Sequence, residues 1–119
     1  MRFDERRHDL IAYFTEYRLR DEVRIKQVGD ELDKLVGKVP DGKRLVLDFT
    51  AVQSVSSEII GVLVGFNRNC RVAKVDLRFR NLSSAVMEVL RVAPLDNVYQ
   101  IADGNYSYGE DDGPEIAPH

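Results

Sequence analysis

The most informative part of this 119-residue chain is VLDFTAVQSVSSEIIGVLVG, residues 46–65. Its first residues continue an apolar run from Arg44 to Phe49, which predicts a strand at the centre of a sheet and covered on both faces. Thr50 to Val55 leaves that strand as a loop. Two serines and a carboxylate then begin an apolar helix that runs to about Cys70. A buried strand, a loop and a helix in this order are typical of an α/β fold.

The start of this helix carries the clearest functional chemistry in the chain. Backbone N–H groups are unpaired there and the helix dipole is positive, so negative charge is favoured. Ser56 or Ser57 can cap the helix, and Glu58 lies in its first turn. Gly61 and Gly65 each cost about 1 kcal/mol relative to Ala, so we expect a narrow helix face that another backbone approaches closely.

The flanking sequence alternates strand and helix patterns. Short strands are predicted at 3–6, 10–14 and 17–19, before a helix that Asp21 caps. The apolar residues of that helix recur at helical spacing and are Ile25, Val28, Leu32 and Leu35. A strand at 74–80, a helix capped by Ser83 and ended by Pro94, and a strand at 98–101 follow. The order β-β-(β)-α-β-α-β-α-β predicts one α/β domain, a mixed sheet with helical crossovers.

The C-terminal residues differ from the rest in composition. Residues 104–119 combine Gly, Pro and acidic residues without any Lys or Arg. Such a segment buries too little apolar surface to offset its ordering entropy, so we predict a folded domain over 1–103 and a disordered acidic tail over 104–119. Residues 103–119 carry a charge of −5. Since the whole chain has a net charge of −3, residues 1–102 carry +2.

A basic run spans residues 68–80, with five positive charges against Asp76 alone; its members are Arg68, Arg71, Lys74, Arg78 and Arg80. We interpret the first members as complements to a helix C-terminus and the rest as a solvated strand face, with an acidic partner as the alternative. Apart from Phe79 no aromatic residue is interleaved with this run, so we do not expect nucleic-acid binding.

Cysteine and histidine usage restricts the class of protein. The single cysteine, Cys70, favours a reducing, cytoplasmic compartment and is interpreted as a buried, inert thiol. The charged N-terminus lacks a signal-peptide core, and no apolar run reaches the ~18 residues of a membrane helix. His8 and His119 show no metal-site spacing. Without a phosphate-binding glycine loop or a Ser/His/Asp set, we expect no catalytic residue, cofactor or metal.

Residues 46–65 resemble the signature of the STAS domain, the sulfate-transporter and anti-sigma factor antagonist fold. The family pattern is a strand ending in Leu-Asp-Leu, a short loop, and Asp-Ser-Ser-Gly-Leu-Gly at the start of an apolar helix. Leu47-Asp48-Phe49 corresponds to the strand end, and residues 56–61, SSEIIG, correspond to the helix start. The order of elements over residues 3–102 also resembles the family, which implies a single STAS-like domain.

The resemblance implies a non-enzymatic, bacterial regulator of transcription, an anti-sigma factor antagonist-like protein. Its expected partner is a serine protein kinase that acts as an anti-sigma factor, or another component of a partner-switching system. The surface implied for that partner comprises Ser54, Ser56, Ser57, Glu58, Ile59, Gly61 and Val62. Apolar neighbours such as Phe66 would join it where they are not core.

One departure from the pattern bears on regulation. Glu58 occupies the position of the serine that is phosphorylated in regulated members, where phosphorylation ends the interaction. A carboxylate carries about −1 and phosphoserine about −1.5 to −2, so Glu58 is a partial mimic. Two interpretations stay open, a permanently phospho-like residue and a first-turn acid that stabilises its helix. Ser57, and next to it Ser56, is the alternative phosphosite.

Two other classes of function remain open at this stage. A STAS scaffold that assembles constitutively, for instance as a homodimer, would suit a position that cannot be phosphorylated. A module that binds a small anionic or lipid-like ligand would suit a helix N-terminus, which favours anions in general.

Overall fold

The computed structural model describes residues 1–91, so the predicted strand at 98–101 and the predicted tail at 104–119 lie outside the described residues. Within this range the strands are β1 (Arg2–Glu5), β2 (Asp9–Tyr13), β3 (Arg18–Leu19), β4 (Arg44–Asp48), β5 (Ser54–Val55) and β6 (Leu77–Arg80). The helices are α1 (Glu22–Val36), α2 (Glu58–Val72) and α3 (Ser84–Leu90).

The main sheet of the described residues has the strand order β1-β2-β4-β6. β1 is antiparallel to β2, whereas β2, β4 and β6 are parallel to one another. The segments containing α1 and α2 make the crossovers between parallel strands. The predicted mixed sheet with helical crossovers is therefore confirmed, and β4 occupies the central position that its apolar sequence predicts.

The register of the parallel strands creates one continuous apolar face. Leu45 lies between Leu10 and Leu77, and in the next row Leu47 lies between Ala12 and Phe79. The buried residues of both long helices belong to the same core cluster, namely Ile25, Val28, Leu32 and Leu35 from α1 and Ile59, Leu63, Phe66 and Cys70 from α2. The four apolar positions of α1 are thus buried as their spacing predicts.

A second, two-stranded sheet places the loop before α2. In it β3 runs parallel to β5, with Arg18 opposite Ser54 and Leu19 opposite Val55. The sequence predicts a loop here, and β5 was missed. A two-residue strand has no periodicity to detect, and β5 exists because β3, more than thirty residues earlier, offers backbone partners.

The carboxyl end of β4 holds a buried ion pair. Asp48, 1% exposed, accepts hydrogen bonds from the backbone N–H of Thr50 (2.7 Å), from Asn81 (3.1 Å) and from the Arg80 guanidinium. Burial alone would raise the pKa of Asp48, but the hydrogen bonds from Thr50 and Arg80 and the Arg80 charge hold it below its ordinary value. The carboxylate therefore stays charged inside the protein.

Arg80 corrects the interpretation of the basic run. It is 8% exposed and its guanidinium also contacts Tyr13, so this end of β6 is not a solvated strand face. A solvated face suits Arg78 better, since it pairs with the exposed Asp76 at 2.7 Å. Arg71 lies in the last turn of α2, where a positive charge complements the helix dipole as predicted.

Candidate functional site

The start of α2 is held by backbone hydrogen bonds that connect it to the small sheet. The N–H of Ser56 donates to Leu19 at the end of β3 (2.9 Å), and the N–H of Ile59 donates back to Ser56 (3.1 Å). The N–H of Ile60 donates to the carbonyl of Ser57 (3.0 Å) and continues the first turn. The loop and the helix start are therefore joined to β3 and to each other by backbone hydrogen bonds.

The serines do not cap α2 in the way that the sequence predicts. Ser57 occupies the N-cap position with φ −65° and ψ −17°, and its side chain makes no capping hydrogen bond. A capping side chain needs an extended backbone, as at Asp21 and Ser83, which both accept from the helix three residues on. Ser56 instead donates its hydroxyl to the Glu58 carboxylate at 2.9 Å.

Glu58 consequently supplies the negative charge at this helix start. It is exposed, lies in the first turn, and its carboxylate is oriented by the Ser56 hydroxyl. The dipole of α2 favours an acid here, as predicted for a first-turn glutamate. Ser57 next to it is exposed as well. The arrangement presents a fixed carboxylate and an adjacent exposed hydroxyl to solvent.

The predicted partner-binding residues divide by exposure. Ser57, Glu58 and Gly61 are exposed, and Ser54, Ser56 and Val62 are partly exposed. Ile59 is fully buried in the core, so its side chain is not on the surface and its assignment as a contact residue is corrected. Phe66 is also core. Helical geometry explains the correction, because Ile59 faces the sheet with Leu63 one turn on.

The glycines of α2 do not receive the close backbone contact that we expected. A Cβ at Gly61 or at Gly65 would meet no atom within 4 Å. They line an open groove of about 280 Å³ between α1 and α2. The close approach belongs to Gly29 of α1, where a Cβ would lie 3.4 Å from Val62. Among residues 1–91, Gly61 and Gly65 therefore leave space on the surface of α2, beginning about one turn after Glu58.

Two exposed apolar side chains lie on the segments beside this surface. Tyr17 is 62% exposed, and its carbonyl accepts the N–H of Gln53 just before β5 (2.8 Å). Val23, 66% exposed, lies in the first turn of α1. Since β3 and β5 are parallel and each is followed directly by a helix, both helices start at the same end of the molecule. Sequence reasoning missed both residues because their placement depends on the β3–β5 pairing.

Comparison with known proteins defines the class. The model of the family described as "Mlab, STAS domain" matches residues 18–101, more than half of the chain. The chain therefore belongs to the STAS domain family. No curated protein matches it.

A solved structure agrees with this membership. The chain is similar to the anti-sigma factor antagonist SpoIIAA in its unphosphorylated form, with a TM-score of 0.68 and 12% identity over 99% of this chain and 98% of that one. At this identity the likeness concerns the fold alone. The single STAS-like α/β domain implied by residues 46–65 is confirmed.

Two further properties concern the described residues. Among residues 1–91 no helix combines the length and the apolar character needed to cross a bilayer. The same residues contain no group of three or more His, Cys, Asp or Glu side chains arranged to hold a metal ion.

Proposed function

We propose that this protein is a non-catalytic, anti-sigma factor antagonist-like regulator of the bacterial cytoplasm. It acts by binding a serine kinase of the anti-sigma factor type, or another component of a partner-switching system. The binding surface, here called the α2-start surface, comprises Ser54, Ser56, Ser57, Glu58, Gly61 and Val62. The observation that carries the proposal is the exposed Glu58 carboxylate at the start of α2, about one helical turn before Gly61, which lines an open groove.

Charge and shape support this surface as a contact site. The Glu58 carboxylate is exposed and accepts a hydrogen bond from Ser56, so a basic residue of a partner can pair with it. The groove offers room for a side chain of the partner, and its lining includes Asp30 and Asp33, which suit a basic one. The exposed Tyr17 lies just before β3, and the exposed Val23 lies at the start of α1. Tyrosine is one of the residues enriched at binding hot spots.

The identity of residue 58 bears on how the proposed surface would be regulated. A glutamate cannot gain or lose a phosphate, so position 58 carries a constant charge of about −1. The proposed partner must therefore accept a carboxylate at position 58. Regulation by phosphorylation, where it occurs, falls on the neighbouring exposed Ser57, whose added phosphate would meet the Glu58 charge and the dipole of α2 together.

The first experiment measures binding to kinases encoded beside the gene, using the full chain and calorimetry or biolayer interferometry. We expect binding by the wild type and at least a tenfold loss in Gly61→Arg, because the long side chain fills the groove. The matched control is Gly37→Arg, since a Cβ at Gly37 also meets nothing within 4 Å. Equal binding by the two variants, at unchanged thermal stability, would contradict the α2-start surface.

The second experiment tests the role of position 58. Glu58→Ser is expected to weaken binding of the wild-type partner and to become a substrate of that kinase with ATP, detected by intact-protein mass spectrometry. Glu58→Ala carries no charge and cannot be phosphorylated. Comparing it with Glu58→Ser therefore separates the effect of losing the charge from the effect of gaining a phosphosite. A Glu58→Ala variant that binds as the wild type does would show that the glutamate only stabilises its helix.

A further inference from the structure

Among residues 1–91, the outer edge of β1 has no partner strand, and the pairing of β1 with β2 shows which of its backbone groups point toward that edge. Within residues 1–91 β1 pairs with β2 alone. The N–H of Arg6 donates to the carbonyl of Asp9 (2.7 Å). Because hydrogen-bonded pairs alternate along an antiparallel ladder, Asp4 and Arg2 also direct their backbone groups toward β2. The N–H and C=O groups of the alternate residues, Phe3 and Glu5, therefore point toward the open edge. An open edge of this kind is a template for pairing with another strand.

An exposed aromatic side chain and an apolar groove adjoin this edge. Phe3 is 53% exposed although its register partner, Ala12, is fully buried on the helix-covered face. Beside it a groove of about 400 Å³ is lined by the apolar side chains of Met1, Leu10 and Leu35, with charged residues of α1 at its rim. As far as residues 1–91 are concerned, the apolar layer of the sheet is thus left uncovered at β1.

We propose that the occupant of this edge is a second copy of the same chain. The two β1 strands pair antiparallel about a two-fold axis through Phe3, so that Phe3 lies opposite the partner's Phe3. Both residues then offer the N–H and C=O groups that the phase of the ladder directs outward. The two four-stranded sheets join into one, and each aromatic ring covers apolar surface next to the groove.

The charges of β1 select this register. With Phe3 opposite the partner's Phe3, Arg2 lies opposite the partner's Asp4, and the pair occurs twice. These two residues lie on the other face of the sheet from Phe3. Opposite charges on directly facing residues stabilise a sheet, and they stand closest in non-hydrogen-bonded pairs such as this one.

The neighbouring registers place like charges together. Centring the axis on Asp4 would put Asp4 opposite the partner's Asp4 and Arg2 opposite the partner's Arg6. Centring it on Glu5 would put Glu5 opposite the partner's Glu5. Like charges directly opposite each other destabilise strand pairing. The Glu5-centred register also pairs Asp4 with the partner's Arg6, but only together with the Glu5–Glu5 contact. Of the registers centred on a residue of β1, the Phe3-centred one alone pairs opposite charges and places no like charges directly opposite each other.

The size of the contact sets its strength. A four-residue strand with one aromatic side chain buries less than the roughly 1,200 Å² of a standard interface, so we expect a reversible dimer with a Kd on the order of 0.1 mM. Sedimentation of the full chain between about 0.01 and 1 mM should show the mean mass rising toward twice that of the monomer. A constant monomer mass over this range would overturn the proposal.

A charge exchange tests the register. Arg2→Asp alone and Asp4→Arg alone place like charges in both cross-strand pairs, so each should weaken dimerisation at least tenfold. The double variant Arg2→Asp/Asp4→Arg should restore it. Arg2 also lies over the Tyr13 ring and Asp4 pairs with Arg6, so circular dichroism and thermal unfolding must show that each monomer stays folded. Failure of the double variant to recover would refute the register.

Cross-linking provides a test that does not depend on affinity. Hydrogen-bonded antiparallel pairs have Cα atoms about 5.5 Å apart, within the range of a disulfide, so Phe3→Cys should form a cross-linked dimer under mild oxidation. Glu5→Cys should not, because in this register two copies of residue 5 lie about four residues apart. Cross-linking of Glu5→Cys in preference to Phe3→Cys would refute the Phe3-centred dimer.

A last pair of variants distinguishes loss of the β1–β1 contact from a general loss of exposed apolar surface. Phe3→Lys should abolish association, whereas Val72→Lys, at an exposed apolar position of α2, should leave it unchanged. Equal effects of both would contradict the proposal. The α2-start surface includes no residue of β1, so failure of kinase binding and failure of dimerisation are separate results.

Discussion

Replacement of Asp48 by Asn tests the buried ion pair at the end of β4. The carboxylate is 1% exposed and accepts three hydrogen bonds, one of them from Arg80. Asn keeps the shape of the side chain but loses its charge. Its NH2 group, which can only donate, replaces one of the two carboxylate oxygens that accept hydrogen bonds. The guanidinium of Arg80, itself 8% exposed, then loses the charge of this buried carboxylate.

The magnitude follows from the burial of the pair. Removing one member of a buried ion pair costs about 3–5 kcal/mol, because the remaining charge is no longer compensated. A domain of this size has an unfolding free energy of about 5–15 kcal/mol, so the variant should lose a large share of its stability. Each lost kcal/mol should lower the Tm by roughly 4–8 °C.

The dependence on pH provides a second, independent signature. The pKa of Asp48 in the folded protein lies below the ordinary value of 3.8. The unfolded chain therefore takes up the proton first as the pH falls, and folding loses the contribution of this carboxylate. The difference between wild type and Asp48→Asn should be constant above about pH 5 and should shrink as the pH falls below about 4.

The assay is urea unfolding followed by circular dichroism at several pH values. Asp76→Asn is the matched control, since Asp76 also pairs with an arginine of β6 but its side chain is 50% exposed. An exposed pair contributes about 0–1 kcal/mol, so the control should change little. If Asp48→Asn costs no more than the control, or the difference does not vary with pH, the buried pair does not stabilise the fold as argued.

Three further predictions use positions whose surroundings differ clearly. Gly65→Ala should raise the unfolding free energy by about 0.5–1 kcal/mol, because its Cβ meets nothing within 4 Å. Gly42→Ala should lower the unfolding free energy, because Gly42 has a φ of +85°. Urea titration that gives both changes the same sign would contradict this. Ser83→Ala should lower the unfolding free energy by about 1 kcal/mol, because the cap of α3 is lost. Ser57→Ala should lower it by about a few tenths of a kcal/mol, since Ser57 makes no capping hydrogen bond. Thermal unfolding that ranks the two variants in the reverse order would contradict this assignment of the caps. Burial raises the pKa of the Cys70 thiol to about 12, so an aromatic disulfide reagent at pH 8 should label it only after denaturation, and rapid labelling of the native protein would refute this.

Local sequence signals predicted the elements of the fold well. The spacing of Ile25, Val28, Leu32 and Leu35 predicted the buried face of α1, and Asp21 and Ser83 were correctly predicted as caps. The central place of β4 followed from its continuous apolar run. These features depend on residues close together in sequence, whose periods and capping preferences act within one or two turns.

Pairings between distant segments were not predictable in the same way. β5 forms only against β3, and Arg80 is buried only because Asp48 lies across the sheet from it. The polarity of Arg80 by itself indicated exposure. Sequence reasoning therefore placed the basic run too far toward solvent, since it had no means of locating the counter-charge 32 residues away.

For the candidate site, the sequence alone determined its position and its chemistry. The strand, loop and helix of residues 46–65 and the acid at Glu58 are local facts, and they were sufficient to identify a helix start that favours negative charge. Only the tertiary structure decided what this helix start presents. The packing of α2 on the sheet buried Ile59, the backbone angles at Ser57 prevented its cap, and the β3–β5 pairing brought Tyr17 alongside, because each outcome depends on where a distant segment lies.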